Sequence, residues 1–459
     1  MVESDREFLK TFFQQVADSP LDPASDKRYV PLYGQGPEDI GEDPVELLAR
    51  AIEWLPGESV QLLSGFRGTG KSTELRRLRD HLRGKGYYVA LLDMAEHVNL
   101  STRVDVSDFL MAVAGAFGEA MASPELLGGD PKREGYWTRL AAFFSRTRIE
   151  VPDLSATGIK ATLKSDPTFR QDLQRRMAGH VGALVLDIRR FFEETVKALK
   201  MQHGDGAELV LLVDSVEQIR GTSTNAEDVQ QSVENLFAGH ADKLRIPYVH
   251  VVYTVPPYLK VRYSNLGQLY DGGAVQIFPA IKVRHKETGD EYDGGIDALR
   301  RVARARGDVA RLLGSGELLR RVILASGGHL RDLLSLLAEV TRRAHALPVD
   351  SKTVDAAINQ IRTEFLPITD DDARWLAMIA TTHKASLAGE SNLPRFARFL
   401  DTHVVLCFRN GTEWYDVHPL IKEIVVEQAR ALKNSAHAGG PPEQSDRLDE
   451  PDGRPKSQA

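Results

Sequence analysis

Cysteine is almost missing from this chain: Cys407 is the single one in 459 residues. No internal disulfide can form, and such usage is that of a protein kept in a reducing compartment, so a cytoplasmic location is expected. Long apolar runs are missing too. Runs such as Leu209 to Val213 have the length of a strand and fall far below the roughly 18 residues that a membrane-crossing helix needs. A membrane role is not expected. The opening residues, Met1-Val2-Glu3-Ser4-Asp5-Arg6, carry no signal-peptide core. Positive charge is in deficit: 58 Lys and Arg against 65 Asp and Glu give a net charge of −7. That argues against nucleic-acid binding driven by overall charge, while leaving room for a local basic face.

What the chain does have is Gly65-Phe66-Arg67-Gly68-Thr69-Gly70-Lys71-Ser72, which fills every fixed position of the G-x-x-x-x-G-K-[ST] phosphate-binding loop. The glycines let the backbone curl so that its N–H groups face phosphate oxygens. Lys71 is expected to reach the outer phosphates and the Ser72 hydroxyl to ligate Mg2+. The helix that begins at the loop and continues through Thr73 adds its positive end. The flanks agree: Ser59 to Ser64 alternates like a strand, and Leu75, Leu78 and Leu82 recur at helical spacing. The expected ligand is ATP with Mg2+. No guanine-selective Asn/Thr-Lys-x-Asp segment appears, which favours ATP over GTP.

A second acidic element completes such a site. Leu209-Val210-Leu211-Leu212-Val213-Asp214-Ser215-Val216-Glu217 is an apolar strand that ends in one acid, with another three residues on. A carboxylate at a buried strand end is costly unless it meets a cation. Asp214 is therefore expected to hold the magnesium shell opposite Ser72, and Glu217 to orient or deprotonate the attacking water. Acids also cap helices that follow strands, which is the alternative for both. Thr254, at the end of Tyr248 to Val255, is placed to sense the γ-phosphate by a hydrogen bond.

Hydrophobic residues make up 42% of the chain, enough for two or three domains. Strands are predicted at 60–64, 87–94, 209–213, 248–255 and 274–281. Several are nearly continuous apolar runs, the pattern of parallel strands covered on both faces. The fold class is α/β, a P-loop doubly wound parallel sheet with its ligand outside the carboxyl strand ends. The predicted division is an N-terminal arm (1–43), a P-loop ATPase core (44–285) with a helical insert at about 123–205, a helical lid (286–365), a C-terminal winged-helix domain (366–433) and a disordered tail (434–459). Within the insert, Phe169, Leu173, Met177, Val181, Leu184, Ile188, Phe192, Val196 and Leu199 recur at helical steps. They predict one helix from 166 to 200, about 50 Å long at 1.5 Å per residue, packed on the rest of the insert or on another protein. Near the C-terminus two helices precede a hairpin turning at Asn410-Gly411, and a final helix spans 419–432.

The order of these motifs resembles the AAA+/STAND branch of P-loop ATPases, including replication-initiator-like members. In that group a segment placed like Tyr29 to Tyr33 lines the adenine pocket; ordinary packing of the arm is the alternative. Gly327-Gly328-His329-Leu330-Arg331-Asp332 resembles the lid's sensor helix, which implies that Arg331 reaches the outer phosphates. Arg262 sits where AAA+ proteins carry an arginine finger for a neighbouring subunit, with Lys260 and Arg245 competing for the role. Trp414-Tyr415-Asp416-Val417-His418-Pro419 resembles the STAND segment whose histidine contacts bound ADP, so the resemblance implies that His418 reports nucleotide state; a packed histidine at a helix start is the alternative.

The chain departs from the pattern as well. Lys71 and Asp214 are 143 positions apart, and Ser215 replaces the acid that follows the Walker B aspartate in most AAA+ enzymes, which puts Glu217 in question. Val255 stands where plant-type STAND proteins carry an arginine. No nuclease, protease or TIR-like segment is present, so a regulatory switch must act through a protein partner or a homo-oligomeric assembly, as stand-alone ATPases of bacterial conflict systems do. The other readings are an initiator-like ATPase that binds DNA through Arg395, Arg398 and Arg409, or a nucleotide-binding scaffold with negligible turnover; the lid's arginine cluster (Arg300, Arg301, Arg304, Arg306, Arg311, Arg320 and Arg321) either tracks a nucleic-acid backbone or, as charge runs on helices more often do, forms a solvated face.

Overall fold

The computed structural model describes residues 3–33, 41–128, 135–150, 155–222, 224–271, 273–385 and 392–438. At its centre five parallel strands run in the order β2-β3-β4-β1-β5. They are β1 (Ser59–Gly65), β2 (Tyr88–Asp93), β3 (Leu209–Asp214), β4 (Val249–Val255) and β5 (Gln276–Phe278). The expected doubly wound sheet is thus present, with β5 shorter than its apolar run. All of β1, β3 and β4 is buried, because alternate residues of each strand feed cores on opposite faces. Leu62, Leu211 and Tyr253 enter one core; Leu63, Val210 and Val252 enter the other.

The second of these cores is roofed by α1 (Glu3–Gln15), α2 (Pro44–Trp54), α3 (Lys71–Gly84) and five further helices, α11 (Asp293–Ala305), α12 (Val309–Leu313), α13 (Gly316–Ala325), α14 (Leu330–Arg343) and α15 (Ser351–Thr363). The arm is not loose, since Phe12 of α1 is 2% exposed and the Arg311 guanidinium lies 4.5 Å over the Phe8 ring. The first core is covered by α4 (Val106–Met121), the insert helices, α9 (Ala226–Glu234) and α10 (Pro257–Arg262).

The insert departs from expectation. The predicted continuous helix is two, α7 (Pro167–Met177) and α8 (Val181–His203), which follow α5 (Tyr136–Thr147) and α6 (Ala156–Ser165). Asp166 caps α7 by accepting from the Thr168 and Phe169 N–H groups. The helix then stops at Ala178-Gly179-His180, where His180 leaves helical geometry. Glycine inside an apolar periodicity was the overlooked signal. The break lets both stripes turn inward: Phe192 stacks on Phe117 of α4 at 4.2 Å, and Phe191 packs on Tyr136 of α5 at 5.0 Å. The stripe is satisfied within the chain.

Residues 366–438 form α16 (Asp370–Thr382), α17 (Leu393–Asp401), the hairpin β6 (Val405–Asn410) and β7 (Thr412–Val417), and α18 (Pro419–Ala438). The hairpin turns at Gly411, whose φ of +86° suits glycine. Helix α18 runs past the expected end at Leu432, so the first residues of the predicted disordered tail are helical; the rest of that tail lies outside the described residues. No helix among the described residues is long and apolar enough to cross a membrane.

Candidate functional site

The glycine loop joins β1 to α3, and Gly68 and Gly70 take φ values of +92° and +94°, which a side chain would oppose. The loop lies at the carboxyl end of β1, and the Thr69 N–H donates within it to the Phe66 carbonyl at 3.3 Å. Lys71, 3% exposed, is the first residue of α3. Its ammonium donates to the Gly65 and Phe66 carbonyls at 2.9 and 2.8 Å and lies 3.2 Å from Glu217 Oε1. The Thr69 hydroxyl donates to the Phe66 carbonyl at 2.9 Å, closing the turn.

β3 delivers the acids. Asp214 accepts from the Ser215 N–H at 2.8 Å and from the Ser72 hydroxyl. Burial, then the Glu217 charge, pushes its carboxyl up to about 6. Ser215 sits at φ +68°, an unusual region for serine, and the resulting tight turn sets Glu217 beside Asp214 and Lys71. The Glu217 Oε2 atom is buried without a hydrogen-bond partner. Thr254 braces the turn: it accepts from the Val216 N–H at 3.1 Å and donates to the Val213 carbonyl at 3.3 Å. It is fully buried and does not line the cavity in front of the loop.

That cavity is walled by the loop from Arg67 to Thr73, by Glu217, by Tyr29, Val30, Leu32 and Tyr33 of the arm, and by Val302, Arg306, Arg331 and Leu334. Tyr29 donates to Glu74 at 3.2 Å and Tyr33 to the Pro279 carbonyl at 3.1 Å, which anchors the arm's segment. Thr73 accepts from the Leu21 N–H at 3.0 Å. Arg331 crosses Gly68: its N–H donates to the Gly68 carbonyl at 3.1 Å, and its guanidinium pairs with Asp18 at 2.5 Å. A Cβ at Gly68 would sit 2.5 Å from that of Arg331, so glycine is required there.

Two further expected residues lie elsewhere. Arg262 forms an ion pair with Glu234 of the same chain at 2.6 Å. His418 is fully buried, donates to Asp332 at 3.0 Å and stacks on Phe365, away from the cavity lining. Burial pushes its imidazole below the usual histidine range.

Two residues escaped the sequence reading. Asp18 lay in a loop without periodicity. Arg306 was grouped with a solvent-facing arginine run, yet it is 7% exposed at the cavity wall, and its Nε and Nη1 have no partner. Burial disfavours charge on Arg67, as do the neighbouring Arg331 and Arg220 cations.

These residues fit a magnesium nucleotide. A buried carboxylate beside a hydroxyl suits a hard cation, and the buried Arg306 guanidinium, with Nε and Nη1 unpartnered, suits an anion.

No family model and no curated relative matches the sequence. Among solved structures, the chain is similar to a Walker-type ATPase of Pyrococcus abyssi (14% identity, 90% of this chain and 99% of that one, TM-score 0.40). It is also similar to the Aeropyrum pernix ORC2 protein in its ADPNP–ADP complexes (12%, 91% and 98%, 0.38) and to Cdc6p of Pyrobaculum aerophilum (14%, 89% and 98%, 0.33). Likenesses of this size bear no weight for function, which rests on the site.

Proposed function

We propose that this protein is a nucleotide-operated switch of the AAA+/STAND type that binds Mg·ATP at the glycine loop and hydrolyses it slowly. In this reading α11–α15 are the lid and residues 366–433 a winged-helix domain. The observation that carries it is the position of Phe66. This loop residue is 1% exposed and buried among Ala373, Leu376, Phe396, Phe399, Val417 and Ile421 of the C-terminal segment. A change at the loop is therefore transmitted by direct contact to the element that would move.

When bound, the magnesium nucleotide supplies the phosphoanhydride bond and a charge that stabilises one arrangement of these parts over another. Lys71, the loop N–H groups, Arg306 and Arg331 would hold the phosphates, and Ser72 and Asp214 the metal ion. Glu217, through its unpartnered Oε2, would take a proton from water. Thr254 acts by fixing the turn that carries both acids, and Tyr29 and Tyr33 would flank the base. Arg262 serves a neighbouring subunit only if it leaves Glu234. Output would pass through a partner protein or nucleotide-dependent assembly; a setting in bacterial conflict rests on motif resemblance alone.

The DNA-binding alternative has less support. Arg395 and Arg398 are both committed to Asp372. Of the arginine-rich helices, Arg300, Arg311, Arg320 and Arg321 pair with Asp297, Asp5, Glu291 and Asp355. A DNA shift assay with a steep salt slope would revive it.

The test has two stages. Calorimetry should detect Mg·ATP binding to the wild type and lose it with Lys71→Ala. Hydrogen exchange at residues 405–421 should then differ between ADP and a non-hydrolysable ATP analogue. Binding without that difference would leave a scaffold rather than a switch.

A further inference from the structure

Behind the glycine loop, three imidazoles meet one carboxylate. His329 Nδ1, His418 Nε2 and His403 Nε2 lie 2.8, 3.0 and 3.5 Å from Asp332 Oδ2. His329 and His418 are fully buried, and Asp332 is 5% exposed.

The proton on His329 is fixed by its other side. Its Nε2 faces the Arg67 carbonyl at 2.9 Å, and a carbonyl only accepts, so Nε2 carries the hydrogen. Its Nδ1 is therefore the atom that faces Asp332 Oδ2, 2.8 Å away. His418 differs: its Nδ1 accepts from the Leu420 N–H at 3.3 Å, which leaves the proton on Nε2 to be donated to Asp332.

We propose that His329, Asp332 and His403 bind a divalent transition-metal ion of the zinc class. Their ligand atoms lie within 4.8 Å of one another. The two separations from Asp332 Oδ2, 2.8 Å to His329 and 3.5 Å to His403, are those of ligands about 2 Å from one centre. Two imidazoles and a carboxylate suit such an ion better than magnesium or calcium, which prefer all-oxygen shells. The surroundings match those of ligating groups. A metal-bound histidine usually donates its second N–H to a carbonyl, as His329 does, and a ligating carboxylate is itself hydrogen-bonded, as Asp332 is by His418. His403, with its side chain 26% exposed, gives the ion a route in and room for a water ligand. The site is distinct from that of Ser72 and Asp214, and it would tie the Arg67 carbonyl of the glycine loop, α14 and the segment after α17 to one centre.

The experiment uses the full chain without nucleotide. Elemental analysis of wild-type protein refilled with Zn2+ should give one equivalent that resists dialysis, and Co2+ should give an intense tetrahedral visible spectrum. Co2+ held by the oxygen groups near Ser72 would absorb weakly. His403→Ala should lose the strong spectrum. His403→Cys should keep the ion and add a thiolate-to-cobalt charge-transfer band, which a merely structural His403 would not produce. His418→Gln should weaken Zn2+ affinity about 10-fold or more as a supporting residue. A folded wild type that takes up no Zn2+ or Co2+, or a His403→Cys variant without the new band, would overturn the proposal.

Discussion

Asp18 of the N-terminal arm and Arg331 of α14 form an ion pair at 2.5 Å across the mouth of the glycine loop. The pair sits where phosphate oxygens would compete for the same guanidinium. Both side chains are partly exposed, 50% and 29%, so the contact is worth on the order of 1 kcal/mol. Asp18→Ala should release Arg331 and tighten Mg·ATP binding about 3- to 10-fold in calorimetry, whereas Arg331→Ala should weaken it. Weaker binding by Asp18→Ala would mean that the arm's carboxylate supports the nucleotide instead of opposing it.

Glu217 is the acid with a free oxygen beside the loop, since Oε1 meets Lys71 at 3.2 Å and Oε2 has no partner. Glu217→Gln keeps the shape and removes the base. Turnover of ATP should fall by roughly 10²- to 10⁴-fold while binding persists. Phosphate-release assays under single-turnover conditions separate the two. An unimpaired rate would pass the role to another group and restore the weight of Ser215 as a departure from the pattern.

Phe66 offers a way to uncouple the loop from the C-terminal segment without touching the phosphates, because the loop binds through backbone N–H groups. A Phe→Ala change in a filled core costs about 3–5 kcal/mol. Phe66→Ala should therefore raise hydrogen exchange in α16, α17 and β7 well above that in β3 and β4, with Mg·ATP affinity nearly kept. Equal loosening of sheet and C-terminal segment would show that the two unfold as one unit.

What the sequence disclosed followed from local chemistry. The glycine loop, the apolar strands and the Asn410-Gly411 hairpin are each written in neighbouring residues, and each lies where expected. Asp214 and Glu217 come beside Lys71 because a parallel sheet aligns carboxyl strand ends. Less legible were contacts with no period or motif. Asp18 meets Arg331 across 313 positions, and His329, Asp332, His403 and His418 converge from three segments. Composition assigned Arg306 to solvent, yet burial at the cavity wall depends on packing of α11 against the arm. The length of the insert helix was overread because a stripe of nine apolar residues outweighed Gly179, whose effect on the backbone is greater than that of one missing side chain.

Asp108 in α4 provides a test of the insert that does not involve the loop. It is 4% exposed, accepts from Gln174 Nε2 at 2.6 Å through Oδ2, and leaves Oδ1 without a partner. Burial pushes its carboxyl up to about 7, with Asp105 adding to the rise and the Arg170 cation opposing it. The folded chain thus favours the protonated acid, whereas the unfolded chain ionises near 3.9. Stability from this group is fully present below about pH 4 and is lost as pH rises toward and through 7. Asp108→Asn cannot ionise and should escape that loss. Thermal unfolding should give variant and wild type similar midpoints at pH 5 relative to the gap at pH 8, where the variant gains on the order of 1–3 kcal/mol. Midpoints that stay in step from pH 5 to 8 would mean that Arg170 keeps Asp108 charged inside the fold.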